Sequence, residues 1–511
     1  MKIRTIVYSV LACALMVACG RKEGDTLVKI TSGQISGAYE DGIYSYKGIQ
    51  YAEAERFQPA KPVKWDGVRE CLEFAPWAKQ AGNQGSDEAT GNFALNVWTA
   101  GLEDGAKRPV MMWIHGGGFS TGAGSAGPVD GTELAKKGVV LISINHRLDV
   151  LGFLDLSSFG GKWENSVNVG MLDIVEALRW AKANAKTFGG DPDNITIFGE
   201  SGGGGKVGTL LNMPESKGLF KKAIIMSGAK VNITDSKISQ PLGESVVAEL
   251  GLTAETLDQI QTIDFETLSA AARKCQATSL GARTPGSVKM WGFCPTADGK
   301  TLVEQPYTPG FTSLYPDVPV MIGSTYNELE RTQYYSDPDF SEEQALEILD
   351  KRYGERSGEF LELIKEAYPE SKPEDWVTID SNIRLLSLDA ADARSAAGGA
   401  PVYSFLLTWY GKNAEGRLSP SYHGLDIPLA FNNPGDERAI NPKDERADKI
   451  ADIMSDCWVN FAKTGVPSSP SLPEWEPYSK ETGASMILDD VCGMKYNFDR
   501  KLETFLKDYL K

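Results

Sequence analysis

The sequence predicts an α/β chain with a large, mostly parallel central sheet flanked by helices. Three observations carry this prediction. Apolar, β-branched runs recur along the chain at residues 110–114, 139–144, 195–198, 223–226, 318–322 and 402–407. Runs with no polar alternation belong to strands buried on both faces, which is the habit of parallel sheets. Helical patterns alternate with the runs, as parallel connections require. Finally, 41% apolar and 24% charged residues over 511 positions are ample for a large core.

In chain order, residues 1–18 are not fold. Lys2 and Arg4 precede a largely apolar run of 14 residues, 5–18, too short to span a membrane. It ends in Leu15-Met16-Val17-Ala18-Cys19-Gly20. This resembles a bacterial lipoprotein signal, with Met16 where leucine is usual. The expectation is a signal peptide over 1–18, a lipid on Cys19, a polar tether over 19–26, and one folded domain over 27–511. The protein would then be exported and held to a bacterial membrane by its N-terminal lipid alone. Losing Lys2 and Arg4 takes the net charge from −17 to −19. Such acidity, with no basic stripe, argues against nucleic-acid binding.

Residues 26–65 read as short strands and turns, and residues 171–185 as an amphipathic helix. Residues 233–290 and 335–395 read as helical insertions forming a cap over the site. A helix over 447–463 precedes what reads as an irregular tail. Five cysteines follow the signal, and Cys275 with Cys294 is the pair expected by separation. Only three histidines occur, His115, His146 and His423, so a histidine-rich metal site has little to draw on. No metal or cofactor is expected.

The chemistry centres on Ile195-Thr196-Ile197-Phe198-Gly199-Glu200-Ser201-Gly202-Gly203. A strand running into Gly-x-Ser-x-Gly and then a helix is a nucleophile elbow. The serine sits on a strained turn, so the residues at minus two and plus two must lack a β-carbon. Upstream, His115-Gly116-Gly117-Gly118-Phe119 follows a buried strand. Glycines there free backbone N–H groups to bind an oxyanion, together with the N–H after the nucleophile. The base must be one of three histidines. His115 opens the glycine run and reads as a brace, and His146 lies upstream of the serine at a strand end. His423 sits on a loop beyond the strand at 402–407, in the order serine, acid, histidine. Glu328 follows the strand at 318–322, although the residues alone do not separate it from Glu330 or Asp298.

The chain resembles the type-B carboxylesterase/lipase family, which includes the cholinesterases and bacterial p-nitrobenzyl esterases. The resemblance rests first on Phe188 to Gly203, Phe-Gly-Gly-Asp-Pro-Asp-Asn-Ile-Thr-Ile-Phe-Gly-Glu-Ser-Gly-Gly, and extends through most of 27–478. Leu95-Asn96-Val97-Trp98, Asn145-His146-Arg147, Asn168 to Asp173, His423-Gly424 and Trp458 to Ala462 belong to it. It implies an α/β-hydrolase fold, with Ser201 as nucleophile, His423 as base, Glu328 as acid, and Gly117, Gly118 and Gly202 as oxyanion donors. There are departures. Asn92 and Ala78 stand where the family has a disulfide, His146 replaces a tyrosine, Asp426 replaces a glutamate, and the glutamate that usually balances Arg147 is missing.

The expected function is serine carboxylic-ester hydrolysis through an acyl-enzyme, on small short-chain or aryl esters. A lipase, or an acetyl or feruloyl esterase of polysaccharide decorations, is the alternative chemistry. A non-catalytic binding module on the same scaffold is the alternative class. Glu200 reads as a local structural carboxylate or a selector of cationic or polar groups. Trp98, Phe119, Trp291 and Phe293 are candidates for pocket lining or for core. An unperturbed histidine base would switch activity off below pH about 6–7. Sequence leaves monomer and dimer open.

Overall fold

The computed structural model describes residues 22–229, 233–280, 293–303, 314–330, 333–337, 339–413, 416–436 and 440–509. Among these, eleven strands join in one sheet. In chain order they are β1 (Ala38–Glu40), β2 (Ile43–Gln50), β3 (Ala94–Thr99), β4 (Arg108–Ile114), β5 (Val140–Ile144), β6 (Gly190–Glu200), β7 (Lys222–Met226), β8 (Val320–Thr325), β9 (Val402–Leu407), β10 (Ser485–Leu488) and β11 (Gly493–Lys495). Across the sheet the order is β1-β2-β3-β5-β4-β6-β7-β8-β9-β10-β11. From β5 across to β10 each strand pairs parallel with the next. The edges close with antiparallel pairs, β1–β2, β2–β3 and β3–β5 on one side and β10–β11 on the other.

The helices that matter for the site are α1 (Val169–Asn184), α2 (Gly202–Leu210), α3 (Ser236–Glu249), α4 (Phe265–Leu280), α5 (Glu342–Tyr353), α6 (Ser357–Ala367), α7 (Pro373–Thr378), α8 (Ile383–Ala396), α9 (Glu445–Thr464) and α10 (Arg500–Tyr509). Strand β4 shows why the apolar runs are unbroken. Val110, Met112 and Ile114 pack with α1, whereas Met111 and Trp113 face the opposite cluster with α9. Alternate residues thus enter two cores, and no position is left for a polar residue. Helices α3 and α4 add Leu242, Val246 and Leu268 to the first core. Helices α5 to α8 contribute to a third cluster with α10.

Two expectations need correction. The stretch after α9 is not irregular, because it supplies the last two strands of the sheet, β10 and the edge strand β11, and the helix α10. Its strand is short, and its apolar residues mark it only once β9 is seen beside it. The Cys275–Cys294 pairing is also absent: both thiols are free. Cys275 lies buried on α4, while Cys294 Sγ sits 3.0 Å from Thr234 Oγ1 beside a different, two-stranded pair. Cys71, Cys457 and Cys492 are free as well. Where the family has a disulfide, the Lys79 N–H, next to Ala78, donates to Asn92 Oδ1 at 3.0 Å, so a side-chain hydrogen bond closes that loop. Among the described residues no helix is long and apolar enough to cross a membrane. Cys19 and the run before it, like Trp291, lie outside the described residues.

Candidate active site

Strand β6 ends at Glu200 and α2 begins at Gly202, leaving Ser201 alone at the turn with φ 55° and ψ −124°. That is a strained backbone for a residue with a β-carbon. Neighbours hold it there: the Ser201 N–H donates to the carbonyl of Met226 at 2.9 Å, the last residue of β7. A β-carbon on Gly203 would lie 2.1 Å from the Ile114 carbonyl oxygen, and one on Gly199 would lie 2.6 Å from Gly203. Helix and strands approach so closely that both positions must be glycine.

The other two side chains come from loops joined to each other. Beyond β8, Asn327 N–H donates to the Ser421 carbonyl at 3.0 Å, and His423 N–H donates to the Glu328 carbonyl at 2.9 Å. Ser421 N–H in turn donates to Asn327 Oδ1 at 3.0 Å. This short parallel pairing sets Glu328 and His423 side by side, 95 residues apart in sequence. Glu328 has φ 44° and is buried. Its Oε1 accepts from the Thr325 N–H at 2.7 Å, and its Oε2 is hydrogen-bonded to His423 Nδ1. His423 Nε2 lies 2.8 Å from Ser201 Oγ. With the proton on Nδ1, the ring donates to Glu328 and presents a lone pair to the serine hydroxyl.

The structure therefore brings Ser201, His423 and Glu328 into one hydrogen-bonded line. It leaves the rival acids elsewhere. Asp298 binds Asn168 and the backbone of its own turn, and Glu330 accepts from Ser381. Gly117 and Gly118 have φ of 81° and 64°, in the left-handed region open to glycine. Gly202 packs against Gly118 so tightly that a β-carbon there would lie 2.2 Å from the Gly118 carbonyl oxygen. As the first residue of α2, Gly202 has an N–H with no acceptor inside the helix. Of the three glycines named from sequence, Gly118 and Gly202 are thus in direct contact beside the serine, and Gly117 precedes Gly118 in the same loop.

Acid groups dominate the electrostatics. Glu200 is buried with Oε1 3.3 Å from His423 Nε2. Burial first, and then the charge of Glu328 against the attraction of His423, leave its carboxyl pushed up to about 7. Asp426 is fully buried, and burial together with Glu200 and Glu328 holds it well above the ordinary carboxylate range. For His423, burial opposes the charged form, but the Glu328 hydrogen bond and the charges of Glu200, Glu328 and Asp426 outweigh it. The net effect raises the imidazole to about 9. These carboxylates place the base above the range of about 6–7 expected of an unperturbed histidine.

The remaining histidines are structural neighbours. His115 and His146 stack with centroids 4.9 Å apart, and their Nδ1 atoms bond the carbonyls of Gly116 and Arg147. Burial, then the charge of Lys206, holds both well below the usual histidine range. Arg147 finds its counter-charge in Asp173, with Nη2–Oδ1 at 2.6 Å and Nε–Oδ2 at 2.8 Å, both residues buried. The sequence reading missed Asp173 in this role and Asn327 altogether. Asp173 carried a signal, an acid on a buried helix face within the matched stretch. Asn327 carried none. Trp98, Phe119 and Phe293 are buried in the core clusters. Among the described residues no group of three or more His, Cys, Asp or Glu side chains is placed to hold a metal ion.

A family model described as the carboxylesterase family matches residues 24–502. The chain is 32% identical over 478 residues to the para-nitrobenzyl esterase of Bacillus subtilis, covering 91% of this chain and 94% of that one. It is 29% identical to the phenmedipham hydrolase of Pseudarthrobacter oxydans, covering 90% and 94%. Among solved structures, an esterase from Clostridium hathewayi described as able to hydrolyse aliphatic aromatic polyesters superposes with a TM-score of 0.84. That pair shares 34% identity and covers 94% of this chain and 98% of the other.

Proposed function

From the premise that this chain belongs to the carboxylesterase family and is an ester-hydrolysing enzyme, with the α/β-hydrolase fold, we propose that Ser201, His423 and Glu328 are its catalytic triad. The reading rests above all on the line from Ser201 Oγ through His423 to Glu328 on a strained elbow. Ser201 Oγ attacks the ester carbonyl carbon while His423 Nε2 takes its proton. Glu328 holds the imidazole in the required tautomer and stabilises the imidazolium. The carbonyl oxygen becomes an oxyanion, which the N–H groups of Gly117, Gly118 and Gly202 receive. Collapse breaks the ester C–O bond, and His423 returns the proton to the leaving alcohol. Water then repeats the sequence on the acyl-serine, releasing the acid.

The substrates are small short-chain or aryl carboxylic esters. Two relatives are named for aromatic esters, and this supports the aryl preference. A panel of p-nitrophenyl esters of rising acyl length, with aryl, triacylglycerol and feruloyl esters, tests it. Faster turnover of long-chain triacylglycerols than of p-nitrophenyl acetate would instead make the enzyme a lipase. A fluorophosphonate probe should add one adduct to the wild type and none to Ser201→Ala. No adduct on the wild type would leave the scaffold a binding module. The same reading has the enzyme exported and anchored through a lipid on Cys19. Palmitate labelling that persists in Cys19→Ala would remove that anchor from the account.

A further inference from the structure

Beside the glycine loop lies a buried lysine that the ester-cleaving steps leave unused. Lys206 sits on α2, four residues beyond Gly202, and is 0% exposed. Its Nζ donates to the carbonyl oxygen of His115 at 2.8 Å and lies 5.8 Å from the centre of the Phe119 ring. His115 and Phe119 are the two ends of the glycine run. One side chain therefore touches both ends of the segment that carries Gly117 and Gly118.

Nothing about packing asks for a cation there. Burial alone pulls the ammonium down to about 7, and among the described residues no carboxylate offsets it. A buried charge without a counter-ion is destabilising, and an apolar chain of the same length would fill the space without that cost. The neighbouring histidines do not compensate, since each bonds a backbone carbonyl through Nδ1 and both are held neutral. What the lysine supplies is a strong donor to a carbonyl that has left the β4 ladder. It does so from the helix whose first residue offers the third oxyanion N–H. One rigid element thus sets Gly202 directly and the Gly117–Gly118 segment through Lys206.

We propose that Lys206 is a positioning residue for the oxyanion hole, clamping the glycine run through the His115 carbonyl so that its N–H groups meet the developing oxyanion. This rests on the assignment of Ser201, Gly117 and Gly118 given above. Its signature is a loss confined to the transition state. In Lys206→Met, kcat per active site for p-nitrophenyl acetate should fall roughly tenfold, less than the 10²–10³-fold of losing a donor outright, with KM changed less than about twofold. Affinity for an aryl trifluoromethyl ketone, which forms a tetrahedral adduct on the serine, should fall by the same factor as kcat/KM. Affinity for a product alcohol should not change. Lys206→Gln, which keeps an N–H donor, should recover part of the loss.

Active sites are counted by fluorophosphonate labelling taken to completion, so poorly folded material does not enter kcat. A variant with normal kcat per labelled site, even one with a lower Tm, overturns the proposal. So does a loss that appears in KM and in alcohol affinity as much as in kcat. Failure of both variants to fold assigns Lys206 to the core and likewise overturns it. Failure of the serine assignment is separate, and would show as wild-type enzyme that binds no ketone.

Discussion

Glu200 offers the sharpest test of the site's electrostatics. Its Oε1 lies 3.3 Å from His423 Nε2, and it is one of the carboxylates that hold the imidazole above its ordinary value. The base must be neutral to act, so kcat/KM falls as pH drops through the histidine pKa. A raised pKa puts that acid limb on the alkaline side of 6.5. Glu200→Gln keeps the shape and removes the charge. Two unit charges at this separation interact by about 1 kcal/mol in water and about 5 kcal/mol at an effective dielectric near 20. At about 1.4 kcal/mol per pH unit, and with the usual range for a close opposite charge, the limb should move down by about 1–2 pH units. The assay is kcat/KM for p-nitrophenyl acetate from pH 5 to 10, read at the isosbestic wavelength of the phenol. A wild-type limb at or below 6.5 would refute the reasoning. So would a limb in Glu200→Gln within about 0.3 pH unit of wild type, since the Coulomb term would then be screened away.

Three further outcomes follow from the same geometry. Glu328→Gln should leave the fold intact but lower kcat by about 10³–10⁴-fold in steady-state assays, because an amide can favour the wrong imidazole tautomer. Asp173→Asn strands Arg147 in the core and should cost about 3–5 kcal/mol in urea unfolding, with part restored in Asp173→Asn combined with Arg147→Met. Gly203→Ala places a methyl 2.1 Å from the Ile114 carbonyl oxygen, and soluble active protein should be lost while Gly358→Ala, where the added carbon meets nothing within 4 Å and the backbone is not in the left-handed region, retains it.

The elbow was legible because its requirements are local. A strand, a strained turn and a helix need glycines at fixed offsets around Ser201, and those letters stand together. His423 was legible for another reason, the scarcity of histidines. Glu328 stood level with Glu330 and Asp298 until the family resemblance singled it out. Its hydrogen bonds to Thr325 and His423 give the same choice a physical reason. Strands β10 and β11 were missed because they are short and take their identity from the strand each pairs with, β9 and β10. The expected Cys275–Cys294 bond failed because closeness in sequence does not bring two thiols onto the same face.

By itself, the sequence determined the parallel α/β architecture and singled out Ser201, the glycine loop and His423 as the candidates proposed for catalysis, since each is written in adjacent residues or in composition. Only the tertiary structure decided what depends on distance between remote residues. It paired Arg147 with Asp173, zipped Asn327 to Ser421, and placed Lys206 against His115. It also gathered Glu200, Glu328 and Asp426 around one imidazole, and their charges raise its pKa. Charge interactions act through space and burial, and neither is a property of neighbouring letters.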